Sequence, residues 1–156
     1  TAASVRDLTM VIRPYRESDF SALCQIFLCA VRETASQHYS ASQIEAWAQV
    51  DEARWRQKLA GSRVLVATVD QRPVGFVTAI GTYIDLLFVD PGHSRQGIAS
   101  ALLQELFTQT PAGTLTVEAS LTAKVCFELL GFRVIAEQEV EARGERFMNY
   151  RMEKAR

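Results

Sequence analysis

The chain has 156 residues, 48% apolar and 22% charged, and its 17 Lys and Arg against 18 Asp and Glu leave a net charge of −1. That length suits one domain with a real core, and the near-neutral balance excludes a global positive field for nucleic acid or an anionic membrane. No apolar run reaches a membrane span, and Thr1 to Met10 lacks the charged start and hydrophobic stretch of a secretion signal, so a soluble cytoplasmic protein without membrane or nucleic-acid partners is expected.

After a loose start over residues 1–9, Val11 to Tyr15 reads as a first strand. Ser18 or Asp19 can cap a helix that carries Phe20, Leu23, Cys24, Phe27 and Val31 on one face. A polar stretch from Thr34 to Ser42 interrupts it. Short helical patterns with Ile44, Trp47, Trp55 and Leu59 follow, and Gly61 stops them. Arg63 to Val69 and Val74 to Ile80 form a hairpin turned at Asp70, Gln71, Arg72 and Pro73. Tyr83 to Val89 is the next strand. Leu115 to Ala119 lies too far along for a hairpin with it and becomes a parallel neighbour. A helix from Thr122 to Leu130, ended by Gly131, leads into two last strands around Val134 to Val140 and Phe147 to Met152, turned at Arg143 and Gly144. The expected fold is α/β: a mixed, mostly antiparallel sheet with one parallel strand pair and helices on both faces. Cys24, Cys29 and Cys126 each sit in an apolar helical context, which predicts buried thiols rather than a disulfide or metal ligands. No metal is expected.

The run from Leu86 to Leu103 is the most informative. An apolar strand end closes at Asp90 and Pro91, and apolar residues resume at helical spacing with Ile98, Ala101, Leu102 and Leu106. Between them, Ser94, Arg95, Gln96, Gly97, Ile98, Ala99 and Ser100 carry the chain from strand to helix. Gly97 lets that backbone approach a ligand. The free N–H groups and the positive end of the helix dipole make a cradle for phosphate or pyrophosphate. The plainer alternative is an ordinary strand-turn-helix connection.

This segment resembles the coenzyme A pyrophosphate loop of the GNAT acetyltransferase superfamily, in which Arg or Gln, two residues, Gly, one residue, then Gly or Ala follow in order. Gly97 and Ala99 fall on the last two marks, while Ser94 stands where the Arg or Gln is usual. Ala119 to Phe132 resembles the family's following strand end and helix through Ala123, Glu128, Gly131 and Phe132, with Ser120 in place of the usual Asn and Phe127 in place of the usual Tyr. The chain is most similar to small bacterial members carrying a Ser-x-Thr-Ala-Lys-x-x-Phe-Glu helix. The resemblance implies acetyl transfer from acetyl-CoA to a primary amine by direct attack, in one acetyltransferase domain over residues 1–156. It implies a splayed central strand pair whose opening takes the pantetheine arm against the backbone of Leu87, Phe88 and Val89. Lys124 and Phe127 of the following helix would flank the cofactor.

Direct transfer needs a bound thioester, a free amine beside it, donors on the carbonyl and a base. Strict alternation puts Tyr83, Asp85, Leu87 and Val89 on one face of their strand. A carboxylate on that face makes Asp85 the first candidate base or cation anchor, unless a basic group or backbone amide already satisfies it. Glu118 in the neighbouring strand is the second. Phe127 cannot donate a proton, so Tyr150, then Tyr83 and Tyr39, are the candidate acids for the leaving thiolate. His38 could shape the acceptor pocket from its loop, and Trp47 and Trp55 read as core or pocket wall. The expected partner is a small-molecule or peptide amine, bound to a monomer or homodimer. A non-catalytic acyl-CoA sensor is the second reading. A nucleotide enzyme is a third, and it lacks both the Lys-Ser or Lys-Thr pair of a P-loop and clustered carboxylates.

Overall fold

The computed structural model describes residues 10–34, 37–94, 96–110 and 113–155. The expected loose start and Arg95 lie outside the described residues. Seven strands, β1 (Met10–Pro14), β2 (Arg63–Val69), β3 (Arg72–Ile80), β4 (Tyr83–Val89), β5 (Thr114–Ser120), β6 (Arg133–Ala142) and β7 (Glu145–Ala155), form one sheet in the order β1-β2-β3-β4-β5-β7-β6. Every neighbouring pair is antiparallel except β4 and β5. Helix α1 (Phe20–Cys29) runs on into a wider turn at Ala30–Thr34, and α2 (Ala41–Trp47) and α3 (Glu52–Ala60) follow. Helix α4 (Ile98–Gln109) and α5 (Leu121–Leu129) flank β5 in sequence.

The apolar residues sort to two faces. Ile98, Leu102, Leu103 and Leu106 of α4 and Phe127 of α5 pack with Leu65, Val77, Ile84 and Val117 on one side of the sheet. Phe20, Leu23 and Phe27 of α1 and Leu59 of α3 pack with Val64, Val66 and Phe76 on the other, where Trp47 and Trp55 join them. This is the mixed sheet with helices on both faces that the sequence implies. Cys24, Cys29 and Cys126 are free thiols, half-buried rather than buried.

Both hairpin turns are tight. Asp70 and Gln71 take φ of 51° and 68°, and Arg143 and Gly144 take 49° and 80°; two consecutive positive φ values give the twist that matches paired strands. The first turn is therefore two residues rather than the expected four, and Arg72 and Pro73 belong to β3. Gly75 matters for a different reason. A Cβ there would stand 3.0 Å from Ile98 Cγ2 and 3.2 Å from the Phe88 carbonyl oxygen, so its bare backbone lets the first turn of α4 close on the sheet.

Asp19 does not cap α1 with its side chain as expected. It is 4% exposed and takes two hydrogen bonds of 2.8 Å from the Arg13 guanidinium. It also accepts the Arg16 N–H at 2.8 Å. The bonds from Arg13 hold its carboxyl below the usual aspartate range. A native value below the unfolded one contributes stability that is present above the ordinary value of about 3.9 and drains away as pH falls through the native value. Asp19→Asn is accordingly expected to cost about 2 kcal/mol at neutral pH, because it removes the charge paired with a half-buried guanidinium. Thermal melts from about pH 5 down to about pH 2 should show the wild type losing stability more steeply than the variant.

Candidate active site

Strands β4 and β5 pair only at Tyr83 with Thr116 and Ile84 with Val117, and beyond those two rungs they part. The Asp90 N–H donates to the Val74 carbonyl at 2.8 Å, which fixes the alternation along β4. Phe88 and Leu86 turn their amides toward β3, and Leu87 and Val89 turn theirs into the opening. The Leu86 N–H is taken by the Thr78 hydroxyl at 3.1 Å.

That bond accompanies a bulge. Thr78 pairs with Leu86 and Ala79 with Ile84, so Asp85 is an extra residue in β4. The extra residue breaks strict alternation. Ile84, Leu87 and Val89 pack on the α4–α5 side, while Leu86 and Phe88 pack on the α1–α3 side. Asp85 reaches Lys58 of α3 at 3.1 Å, so the expectation that Asp85 shares a face with Leu87 and Val89 does not hold.

The opening holds two adjoining cavities. The larger, about 280 Å³, runs between Asp85, Leu86, Leu87 and Phe88 on β4, Glu118 to Ser120 on β5, and Ala123 and Phe127 on α5. Its far wall is Tyr39, Trp47 of α2, and Phe147 and Asn149 of β7. The smaller, about 170 Å³, continues along Leu87, Phe88 and Val89 to Ser94 and Ala99, with Thr122, Ala123 and Cys126 opposite. Trp47 and Ser120 border both.

At the outer end of this groove, Gly97 starts α4 with φ of 77°. Its carbonyl takes the first helical bond, from Ala101 at 2.9 Å, so the amides of Ile98, Ala99 and Ser100 have no partner within the helix. A Cβ on Gly97 would meet no protein atom within 4 Å. The space beside the turn is open, and the free amides with the helix dipole suit it to the pyrophosphate of a coenzyme A. Gln96 is exposed and the Ile98 side chain is buried in the core, which leaves the holding to backbone. Lys124 lines neither cavity; its ammonium pairs with Glu128 at 3.7 Å and lies over the Tyr150 ring at 4.9 Å.

Asp85 and Glu118 stand together at the fork. The Asp85 side chain is 17% exposed and ion-paired to Lys58, whereas Glu118 is exposed and has no side-chain hydrogen bond or ion pair among the described residues. Tyr83 feels the charge of both. Burial, and then the charges of Glu118 and Asp85, raise its phenol above the ordinary value, so it stays protonated at neutral pH.

Of the candidate tyrosines, Tyr39 lines the larger cavity, but its hydroxyl is committed. It donates to the Met148 carbonyl at 3.0 Å and accepts the Leu121 N–H at 2.9 Å. Tyr150 lines neither cavity, and its hydroxyl donates to Glu137 on β6 at 3.4 Å. Phe127 is 1% exposed and meets Phe132 edge-on at 5.1 Å. Ser120 caps α5 by accepting the Ala123 N–H at 3.1 Å. His38 bonds Thr122 at 3.2 Å at the start of α5. Sequence reasoning missed Asn149, which lines the larger cavity, and Lys58, which pairs with Asp85 from α3; tertiary contacts that leave no local signal place both.

Residues 35–154 match the acetyltransferase (GNAT) domain. The chain belongs to the GNAT acetyltransferase family. It is 54% identical over 141 residues to the uncharacterized N-acetyltransferase YafP of Escherichia coli, covering 90% of this chain and 93% of that one. It is 38% identical over 82 residues to the peptidyl-lysine N-acetyltransferase YjaB of Salmonella typhimurium, covering 51% of this chain and 57% of the other. The crystal structure of a GCN5-related N-acetyltransferase from Rhodopseudomonas palustris superposes with a TM-score of 0.91 at 32% identity, covering 95% of this chain and 96% of that one. The acetyltransferase activity expected from the sequence stands.

Proposed function

We propose that the protein transfers the acetyl group of acetyl-CoA to a primary amine by direct attack within a ternary complex, as a single domain. The observation that carries this is the continuous opening from the Gly97 turn, past the free amides of Val89 and Leu87, to a cavity that holds two carboxylates. Acetyl-CoA, when bound, supplies an activated acyl carbon with a thiolate leaving group. The amides of Ile98, Ala99 and Ser100 hold the pyrophosphate. Leu87 offers its N–H where negative charge develops on the carbonyl oxygen.

Glu118 accepts the amine proton, directly or through one water, because the Asp85 charge is already engaged by Lys58. The freed amine nitrogen then bonds to the acyl carbon, the carbon–sulfur bond breaks with its electron pair on sulfur, and the second proton shed by the nitrogen passes to water. Water protonates the thiolate, since Phe127 has no proton to give and the Tyr39 hydroxyl is spent on the Met148 carbonyl. Asp85, fixed by Lys58, lines the approach of a cationic acceptor. The partner class is an amine on a small molecule or peptide, and peptidyl lysine is the first probe in view of the YjaB relative.

Acetyl-CoA is expected to raise Tm by about 5 °C or more at a hundredfold excess over its Kd, since it binds only the folded chain. ATP and NAD, lacking the pantetheine arm, should shift Tm less. Equal shifts from all three in a thermal melt would reduce the loop to a generic phosphate site. Free coenzyme A released from acetyl-CoA with a panel of primary amines tests the transfer itself, and tight binding without release for every amine would select the acyl-CoA sensor instead.

A further inference from the structure

Two buried side-chain polar atoms among the described residues have no hydrogen-bond partner: His93 Nδ1 and Asn149 Oδ1. His93 lies in the turn after β4, outside both cavities. Asn149 is different, because it lines the larger cavity beside Glu118 and Phe147. Its place on β7 is well fixed. Ser120 of β5 and Gln138 of β6 are its register partners on either side, and the Tyr39 hydroxyl pins the carbonyl of the preceding residue, Met148.

Alternation also fixes the direction of its side chain. Tyr150 and Met152 pack on the α4–α5 side, so Phe147 and Asn149 point to the other side, toward α2. Ser120, the nearest hydroxyl in register, already accepts from Ala123 and does not bond Asn149. A buried carbonyl oxygen without a donor is costly, and a position that carries one beside a substrate cavity is where a ligand N–H fits.

We propose that Asn149 positions the acceptor, its side-chain carbonyl taking one N–H of the amine while the lone pair faces the acyl carbon. This rests on the transferase reading above. A neutral primary amine has two N–H bonds and one lone pair. With one N–H on Asn149 and the other toward Glu118, the lone pair is left to aim between β4 and β5. A secondary amine lacks one of those bonds and puts a carbon in its place, so Asn149 selects for primary amines. Asn149 is a positioning and specificity residue; it takes no proton.

The test is Asn149→Leu, which keeps the approximate shape and removes the orphaned oxygen. Three measurements run in parallel on wild type and variant: Tm, the acetyl-CoA Kd by calorimetry, and kcat/KM for a peptide carrying one free lysine. The variant should melt no lower than the wild type and bind acetyl-CoA within about twofold, yet lose about tenfold in kcat/KM. A gain of stability with loss of turnover is what removing an unsatisfied functional group produces, and a packing residue would not show it. A loss below about fivefold overturns the inference, as does a fall in Tm accompanied by lost acetyl-CoA binding. If the wild type binds acetyl-CoA but releases coenzyme A with no amine, the transferase reading fails and the inference with it; an active wild type with an equally active variant defeats the inference alone.

Discussion

Replacing Glu118 by Gln is expected to lower turnover about a hundredfold while leaving acetyl-CoA affinity unchanged. The substitution keeps the shape of the side chain and removes the proposed base, and Glu118 lies on β5 beside the larger cavity rather than along the smaller one that runs to Ser94 and Ala99. Part of the loss should return as pH rises, because more of the acceptor is then a free amine that needs no base. Asp85→Asn separates the two carboxylates. It leaves Lys58 without its partner beside the cavity, so it should raise the acceptor KM more than it lowers kcat. Steady-state rates over a pH series, with acetyl-CoA saturating, read both. Full activity of the Glu118 variant at every pH would make Asp85 the base after all.

A second large effect is expected at Gly97. Gly97→Val should weaken acetyl-CoA binding about tenfold or more, by placing a branched side chain where the pyrophosphate must approach the amides of α4. The positive φ adds a strain of about 1 kcal/mol to any substitution there, and that contribution needs its own control. Gly144 supplies one. It has φ of 80° and, like Gly97, no protein atom within 4 Å of a built Cβ, but it sits in the β6–β7 turn. Gly144→Val should lose a similar amount of stability and keep acetyl-CoA binding by calorimetry. Equal binding losses in both variants would assign the Gly97 effect to the fold rather than to the cradle.

Much of the proposed cofactor side was legible because it is built from consecutive residues. The strand ending Leu87, Phe88 and Val89, the glycine at 97 and the helix beginning at Ile98 follow one another in the chain, so local pattern and family resemblance reach them together. The acceptor side was not. Asp85 was found for a reason that the structure alters: alternation predicts its face, yet the bulge that seats it depends on the Thr78 hydroxyl of a neighbouring strand taking the Leu86 amide. The Lys58–Asp85 pair joins α3 to β4, and the Asn149 oxygen meets the cavity only after β7 has paired between β5 and β6. Neither has a spacing that a reader of sequence could test. Tyr150 shows the same limit from the other direction. Its strand was expected correctly, but register places it on the α5 side with its hydroxyl at β6, outside both cavities.

The two rungs between β4 and β5 also say something about how the protein holds itself together. Strands β1 to β4 form one leaf and β5, β7 and β6 another, and main-chain pairing between the leaves is confined to Tyr83–Ile84 against Thr116–Val117. The seam between them is the part of the sheet with the fewest ladder bonds, so it is where opening short of global unfolding should begin. The same seam is where we place the acetyl donor, with β4 of one leaf and α5 beside the other lining the cavities. On the proposed binding mode, occupancy should therefore close the weakest line in the fold and tie its two leaves together.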